Sequence, residues 1–190
     1  EWFILTNNRY CNTMDNFQEL IYFLERFSRQ QELIIFSLGN EGVMELLGFV
    51  QHVTKFKSEL CFLPVSLRSF AQTLTFSQQI VSSETVVSIM EVEEAPASIL
   101  FDPTLANQQT TGKMIDLLTL IRCGIVCEYS FLQNLYQNFP SREALLQHSF
   151  AAYSDTVIQY YQSNSEAIQN FGKTFEKAFF QTENGSLLSN

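Results

Sequence analysis

A largely apolar run from Leu33 to Leu38 ends at Ser37-Leu38-Gly39 and passes at once into Gly42 to Val50, which reads as a helix. A strand that feeds a helix through a glycine turn is the opening of a parallel crossover unit. Its continuous apolarity predicts burial on both faces of a sheet. The same grammar recurs: Leu60 to Leu63 is a second buried strand closed by Pro64, and Ala97 to Phe101 a third that ends at Asp102-Pro103. Upstream, Asp15 and Gln18 have the spacing of a capping box, and Phe17, Leu20, Ile21, Leu24 and Phe27 recur at helical spacing. An amphipathic helix is therefore expected from Asn16 to Arg29. Glu84 to Glu94 carries a β-rich run with imperfect alternation and is read as a further strand. Alternating helices and strands predict a parallel sheet covered on both faces.

Beyond Pro103 the period changes. Met114, Leu117, Leu118, Ile121, Ile125 and Val126 trace a helical stripe, and Phe131, Leu132 and Leu135 begin a short helix. Ser141 is the expected N-cap of a long helix through about Tyr161, and Glu166 to Phe180 forms a last one. The expected division is an α/β domain over residues 1–103 and an all-α domain over 104–190.

With 190 residues, 46% of them hydrophobic, the chain can bury one good core or two small ones. A net charge of -9 without any run of Lys or Arg argues against a nucleic-acid partner. No apolar run reaches the roughly 20 residues that span a bilayer, and no basic segment precedes an apolar one at the N-terminus. No membrane association is expected, and the cytoplasm is the expected compartment. Cys11, Cys61, Cys123 and Cys127 lack the dense spacing of a secreted scaffold and read as free thiols. His52 and His148 are the only imidazoles, too few for a Ser/His/Asp or Cys/His arrangement.

Ordered anchors along the chain carry a resemblance. Asn170-Phe171-Gly172-Lys173-Thr174-Phe175-Glu176-Lys177-Ala178 resembles the N-F-G-H-T-F-G-H-A segment of 3-dehydroquinate synthases, with lysine at both histidine positions. Gly39-Asn40-Glu41-Gly42-Val43-Met44-Glu45-Leu46-Leu47-Gly48-Phe49 is similar to that family's G-G-G-x-x-G-D-x-x-G-F turn. Without a gap, V-P-T-T becomes Leu63-Pro64-Val65-Ser66, and Q-P-K-A-V-L-I-D becomes Ala95-Pro96-Ala97-Ser98-Ile99-Leu100-Phe101-Asp102. After one deletion, A-E-V-I-K-Y-G-L-I becomes Leu118-Thr119-Leu120-Ile121-Arg122-Cys123-Gly124-Ile125-Val126. The resemblance spans nearly the whole chain and implies the sugar-phosphate cyclase fold. That fold has a Rossmann-like, NAD-binding-type domain, here partial, followed by a helical domain for metal and substrate. It also implies that Asn8 to Thr13 fall where the family has G-E-x-x-K-T, after its first strands, and that Asn190 falls about where its final metal histidine stands.

Where the resemblance implies chemistry, the residues differ. Family zinc is held by one Glu and two His; Thr119, Lys173 and Asn190 occupy those positions, and a protonated lysine cannot ligate. Among substrate positions, Asp becomes Gln72, Lys becomes Gln78, an arginine becomes Glu166, the second motif histidine becomes Lys177, and only Arg122 keeps a cation. A phosphate and a carboxylate need several. For NAD, Gly39 and Gly42 remain and Glu45 replaces Asp, but Asn40 and Glu41 would crowd a pyrophosphate, and Arg9 and Asn12 replace Glu and Lys.

The expectation is therefore a dehydroquinate synthase-like pseudoenzyme. It would lack zinc and NAD and act as a binding protein, in a homo-oligomer such as a dimer or with an intact family relative. Two alternatives stand beside it. One is an active NAD- and metal-dependent lyase that eliminates phosphate in the shikimate pathway. The other is a binder of small phosphorylated or carboxylate ligands, using Arg122, Lys173 and Lys177. The surviving Gly, Pro, Asn and Phe anchors also read simply as fold determinants.

Overall fold

The computed structural model describes residues 1–6, 10–27, 30–85, 87–102, 104, 110–148, 150–180 and 182; at 110, 111, 151, 165, 173, 176, 177 and 180 it describes the backbone alone. The chain divides into two compact units, Glu1–Val65 with Phe76–Asp102, and Ser66–Thr75 with the chain after 102. The segment Ser66–Thr75, placed by the sequence in the first domain, thus groups with the helical unit.

In the first unit, α1 runs Met14–Leu24. Its cap is Thr13, extended at φ -96° and ψ 165°, whose side chain accepts from the Asn16 amide at 3.5 Å. The Asp15/Gln18 capping box is not formed: Asp15 lies in the first turn, where its charge complements the helix dipole, and Gln18 donates to the Tyr22 hydroxyl at 2.7 Å. The helix stops well before Arg29. Arg26 and Phe27 donate to the carbonyls of Phe23 and Leu24, tightening the last turn.

Strand β1, Leu33–Gly39, leads into α2, Glu41–Val53, and β2, Ser58–Pro64. β1 and β2 pair in parallel from Leu33 opposite Ser58 to Gly39 opposite Pro64. Next come β3, Ser77–Val81, and β4, Ser88–Glu93, which form a separate antiparallel pair. β5, Ser98–Ile99, joins the far side of β2, giving the order β1-β2-β5. The third strand is thus shorter than expected, and β3 and β4 stand apart from the parallel sheet.

The core is assembled on one face of that sheet. Leu60 and Phe62 from β2 pack with Met44, Leu46 and Phe49 from α2 and Leu20 from α1; Leu33 and Ile35 lean on the same cluster. Each fully buried large side chain contributes roughly 1.5–3 kcal/mol. The opposite face departs from the expectation of burial on both sides. Ile34, Phe36 and Leu38 are 68%, 64% and 51% exposed, so β1 alternates like a strand with one open face.

The second unit contains α3, Leu67–Thr73, then α4, Thr110–Cys127, α5, Tyr129–Asn138, α6, Arg142–Gln147, a 3₁₀ turn at Phe150–Tyr153, and α7, Ser154–Phe180. Ser66 caps α3 in a reciprocal box with Ser69, and Ser141 caps α6 by accepting from the Ala144 amide. The long helix expected from Ser141 to Tyr161 is interrupted, because His148 is extended at φ -98° and ψ 150°. α7 bends at Asn164, whose φ of -144° and ψ of 29° are not helical. Its second limb is the helix expected from Glu166. α7 packs on α4, with Leu120, Val157 and Ile168 fully buried. Among the described residues no helix is long and apolar enough to cross a membrane.

Candidate functional site

The strand-turn-helix at Gly39 is the natural place to seek an anion site in the first unit, since helix N-termini present free amides. Here the end of α2 is self-capped. Asn40 is extended, and its Oδ1 accepts the Val43 amide at 3.4 Å. Glu41 adds a carboxylate in the first turn. Gly39 serves packing, because a Cβ there would lie 2.8 Å from Cγ2 of Val43. An anion placed at this turn would compete with the Asn40 cap and meet the Glu41 charge.

One turn further on, Glu45 is buried at 6% exposure. Asn12 Nδ2 donates to its Oε2 at 2.7 Å and to the Gln79 carbonyl at 2.8 Å, while Gln79 Nε2 donates to Glu45 Oε1 at 3.2 Å. The positions that the resemblance equates with a family lysine and aspartate are therefore in contact, now as an amide and a carboxylate. The Oδ1 of Asn12 is buried without a hydrogen-bond partner. Next to it, burial pushes the Cys11 thiol up to about 11, with the Glu45 and Glu41 charges adding to the rise. That thiol stays protonated at neutral pH.

Gln78 does not face solvent. It is 2% exposed, donates from Nε2 to the Glu94 carbonyl at 3.0 Å, and lies against Gly48, where a Cβ would fall 2.5 Å from its Cδ. Gln72, in contrast, lies in the helical unit, with Nε2 3.5 Å from Oγ1 of Thr75.

The helical unit holds a second polar group. Asp116, Thr119 and Arg122 recur at three-residue intervals on α4 and are 3%, 2% and 8% exposed. Asp116 Oδ1 accepts the Arg68 amide at 2.8 Å, anchoring the start of α3. Arg122 Nη2 donates to the hydroxyl of Tyr161 on α7. The guanidinium lies against Gly172, since a Cβ at that glycine would be 2.5 Å from Nη1 and 2.7 Å from Cδ. Glycine is required at this point of the Asn170-Phe171-Gly172 segment by close approach of a buried cation.

Glu166 is exposed on α7. The side chains of Lys173 and Lys177 and the whole of Asn190 lie outside the described residues. Thr119 offers a single buried neutral hydroxyl, a poor ligand for a divalent ion. Among the described residues, no group of three or more His, Cys, Asp or Glu is placed to hold a metal. Cys123, beside Arg122, is pushed up to about 12 by burial, and burial also raises Cys127. His52 is at the surface, with Nδ1 3.0 Å from Glu94 Oε2.

Arg122 and Gly172 are thus brought together, and so are Asn12 and Glu45. Sequence reasoning missed Asp116, Tyr161 and Gln79. The signal available for Asp116 was its spacing from Thr119 and Arg122, a polar stripe on one face of an otherwise apolar helix.

No protein-family model and no curated protein sequence matches this chain. Solved structures do. One is a 2-epi-5-epi-valiolone synthase from Streptomyces hygroscopicus subsp. jinggangensis 5008 with NAD+ and Zn2+ bound; it superposes at a TM-score of 0.73 with 10% identity, over 97% of this chain and 56% of that one. A 2-deoxy-scyllo-inosose synthase superposes at 0.61 with 13% identity, over 92% of this chain and 51% of that one. A 2-deoxy-scyllo-inosose synthase complexed with carbaglucose-6-phosphate, NAD+ and Co2+ superposes at 0.62 with 13% identity, over 92% of this chain and 50% of that one. The chain spans about half the length of the structures it matches. At these identities the likeness is one of architecture, and the resemblance read from the motifs points the same way: this chain has the fold of the sugar-phosphate cyclases, the dehydroquinate synthase-like fold.

Proposed function

We propose that this chain is a non-catalytic protein of the sugar-phosphate cyclase fold that acts by binding another protein. The observation that carries the reading is the fate of Arg122, the one cation kept among the substrate positions implied by the resemblance. Its guanidinium is buried, donates to Tyr161 and rests on Gly172. A cation held inside the fold in this way supports α4 against α7 instead of receiving a phosphate. Two further features support the same reading. The Asn40 cap and the Glu41 carboxylate disfavour a pyrophosphate at α2, so no bound NAD is proposed. Thr119 supplies no charged donor for zinc, so no catalytic metal is proposed either.

The test is inorganic phosphate release from a heptulosonate phosphate, with NAD and zinc supplied and an active family enzyme run in parallel. No release above the blank, from a chain shown to be folded by circular dichroism, is the expected result. Release that depends on NAD would overturn the reading and establish a phosphate-eliminating lyase.

A further inference from the structure

Cys123 and Cys127 stand one helical turn apart on the same face of α4, and Cys127 is its last residue. Cys123 is fully buried, Cys127 is half-buried, and both are free thiols. At this spacing the Cβ atoms of a helix lie about 5–6 Å apart, beyond the roughly 3.5–4.5 Å that a disulfide needs. The pair therefore stays a dithiol while the helix is intact. A bridging metal ion suits the gap, since two metal–sulfur bonds of about 2.3 Å hold sulfurs up to about 4.6 Å apart. Two neighbours favour such an ion. Asn164, the residue at which α7 bends, donates from Nδ2 to Cys127 Sγ at 3.5 Å, and a donor of this kind is the outer support that metal-bound ligands use. At Cys123 burial opposes ionisation most strongly, but the charge of the adjacent Arg122 works against it and favours the thiolate.

We propose that Cys123 and Cys127 form a two-coordinate site for a soft monovalent cation, Cu(I). The donor set decides the ion. Among the described residues no group of three or more His, Cys, Asp or Glu is placed to hold a metal, which leaves zinc short of its four ligands. Soft thiolates select Cu(I), and that ion is satisfied by two of them in a near-linear arrangement. The charges balance. Each thiol releases one proton, no electron is transferred, and the bis(thiolate) complex of the monovalent ion carries a single negative charge. Arg122 beside Cys123 offsets that charge inside the fold. Both sulfurs come from one helix, so the site needs no other segment of chain to complete it. Cys11 and Cys61, which belong to the first unit, serve as control thiols.

Anaerobic titration of the full chain with Cu(I), held in competition by the chelator bicinchoninate, tests the inference. One retained ion per chain is expected, with a thiolate-to-copper charge-transfer band in the ultraviolet and X-ray absorption showing two sulfur neighbours. Cys127→Ser should weaken binding about tenfold or more and remove the band, with the circular dichroism spectrum unchanged. The double variant Cys11→Ser, Cys61→Ser should keep both. Alkylation provides a readout without substitution: iodoacetamide should modify Cys127 in the metal-free chain, and Cu(I) should protect it, as read by mass spectrometry of the digested protein. No ion retained against the chelator, equal retention by Cys127→Ser, or loss in the Cys11/Cys61 variant would each overturn the proposal. It does not depend on the non-catalytic reading: a copper-binding chain that releases phosphate would refute that reading alone, and a silent chain without copper this one alone.

Discussion

Replacing Gly172 with alanine gives a direct energetic test of the buried Arg122. One general effect favours the alanine: glycine gives up more backbone freedom on folding into a helix, a difference of about 0.5–1 kcal/mol. Against it stands the new Cβ, 2.5 Å from Nη1, 2.7 Å from Cδ and 3.1 Å from Cζ of Arg122. The guanidinium would have to leave Tyr161, in a site where only 8% of the residue reaches solvent. Losing a hydrogen bond from a buried charged group costs about 1.5–3 kcal/mol. The alanine should therefore destabilise by about 0.5–2.5 kcal/mol net, lowering Tm by about 1–10 °C for a chain of this size.

Thermal and urea denaturation, followed by circular dichroism, measure the effect. The decisive arm repeats the substitution in an Arg122→Ala background, which removes Cδ together with the guanidinium. Without the guanidinium the sign should reverse, and Gly172→Ala should stabilise by up to about 1 kcal/mol. Stabilisation by the alanine in the original chain would refute the argument, as would additivity of the two changes.

Three other outcomes are expected. Gly48→Ala should destabilise by about 1–3 kcal/mol in urea denaturation, because its Cβ displaces Gln78 from the Glu94 carbonyl, and Gln78→Ala should suppress most of that loss. Asn12→Asp keeps the shape but sets a carboxylate against the buried Glu45; the chain should be weakest at neutral pH and regain stability on acidification, read by Tm across pH, since burial and a like charge favour the protonated acid. Because burial raises the Cys11 thiol from 9.0 to about 11, the folded state holds a proton that the unfolded state releases; stability should fall as pH rises from 9.0 towards 11, and Cys11→Ser should flatten that slope in a Tm series.

The parts of the fold legible in the sequence were those in which apolar period and turn chemistry coincide. Leu33 to Gly39 followed by a helix is such a case, and the structure places β1 and α2 there. β3 was not legible, because Ser77, Gln78 and Gln79 are polar in a strand. Their side chains are satisfied by Glu91, the Glu94 carbonyl and Glu45, residues distant in sequence. The same reason hides the Arg122 site. Arg122 stood out as a retained cation, but its contact with Tyr161 and Gly172 exists only once α4 and α7 are packed. The open face of β1 was misread because an unbroken apolar run does not distinguish a strand buried on both sides from one that leaves Ile34, Phe36 and Leu38 uncovered.

The membership of Ser66–Thr75 in the helical unit affects how the chain emerges during synthesis. α3 leaves the ribosome long before the helices against which it packs, and Leu67, Phe70 and Ala71, all buried in the finished unit, have nothing to cover them. At about 5–20 residues per second, α4 to α7 take on the order of 10 s to appear. For that interval the nascent chain displays an apolar helical turn whose covering helices are still to be made. A holding chaperone would find its site there, and a ribosome stalled before α4 would carry a half-finished second unit that cannot close.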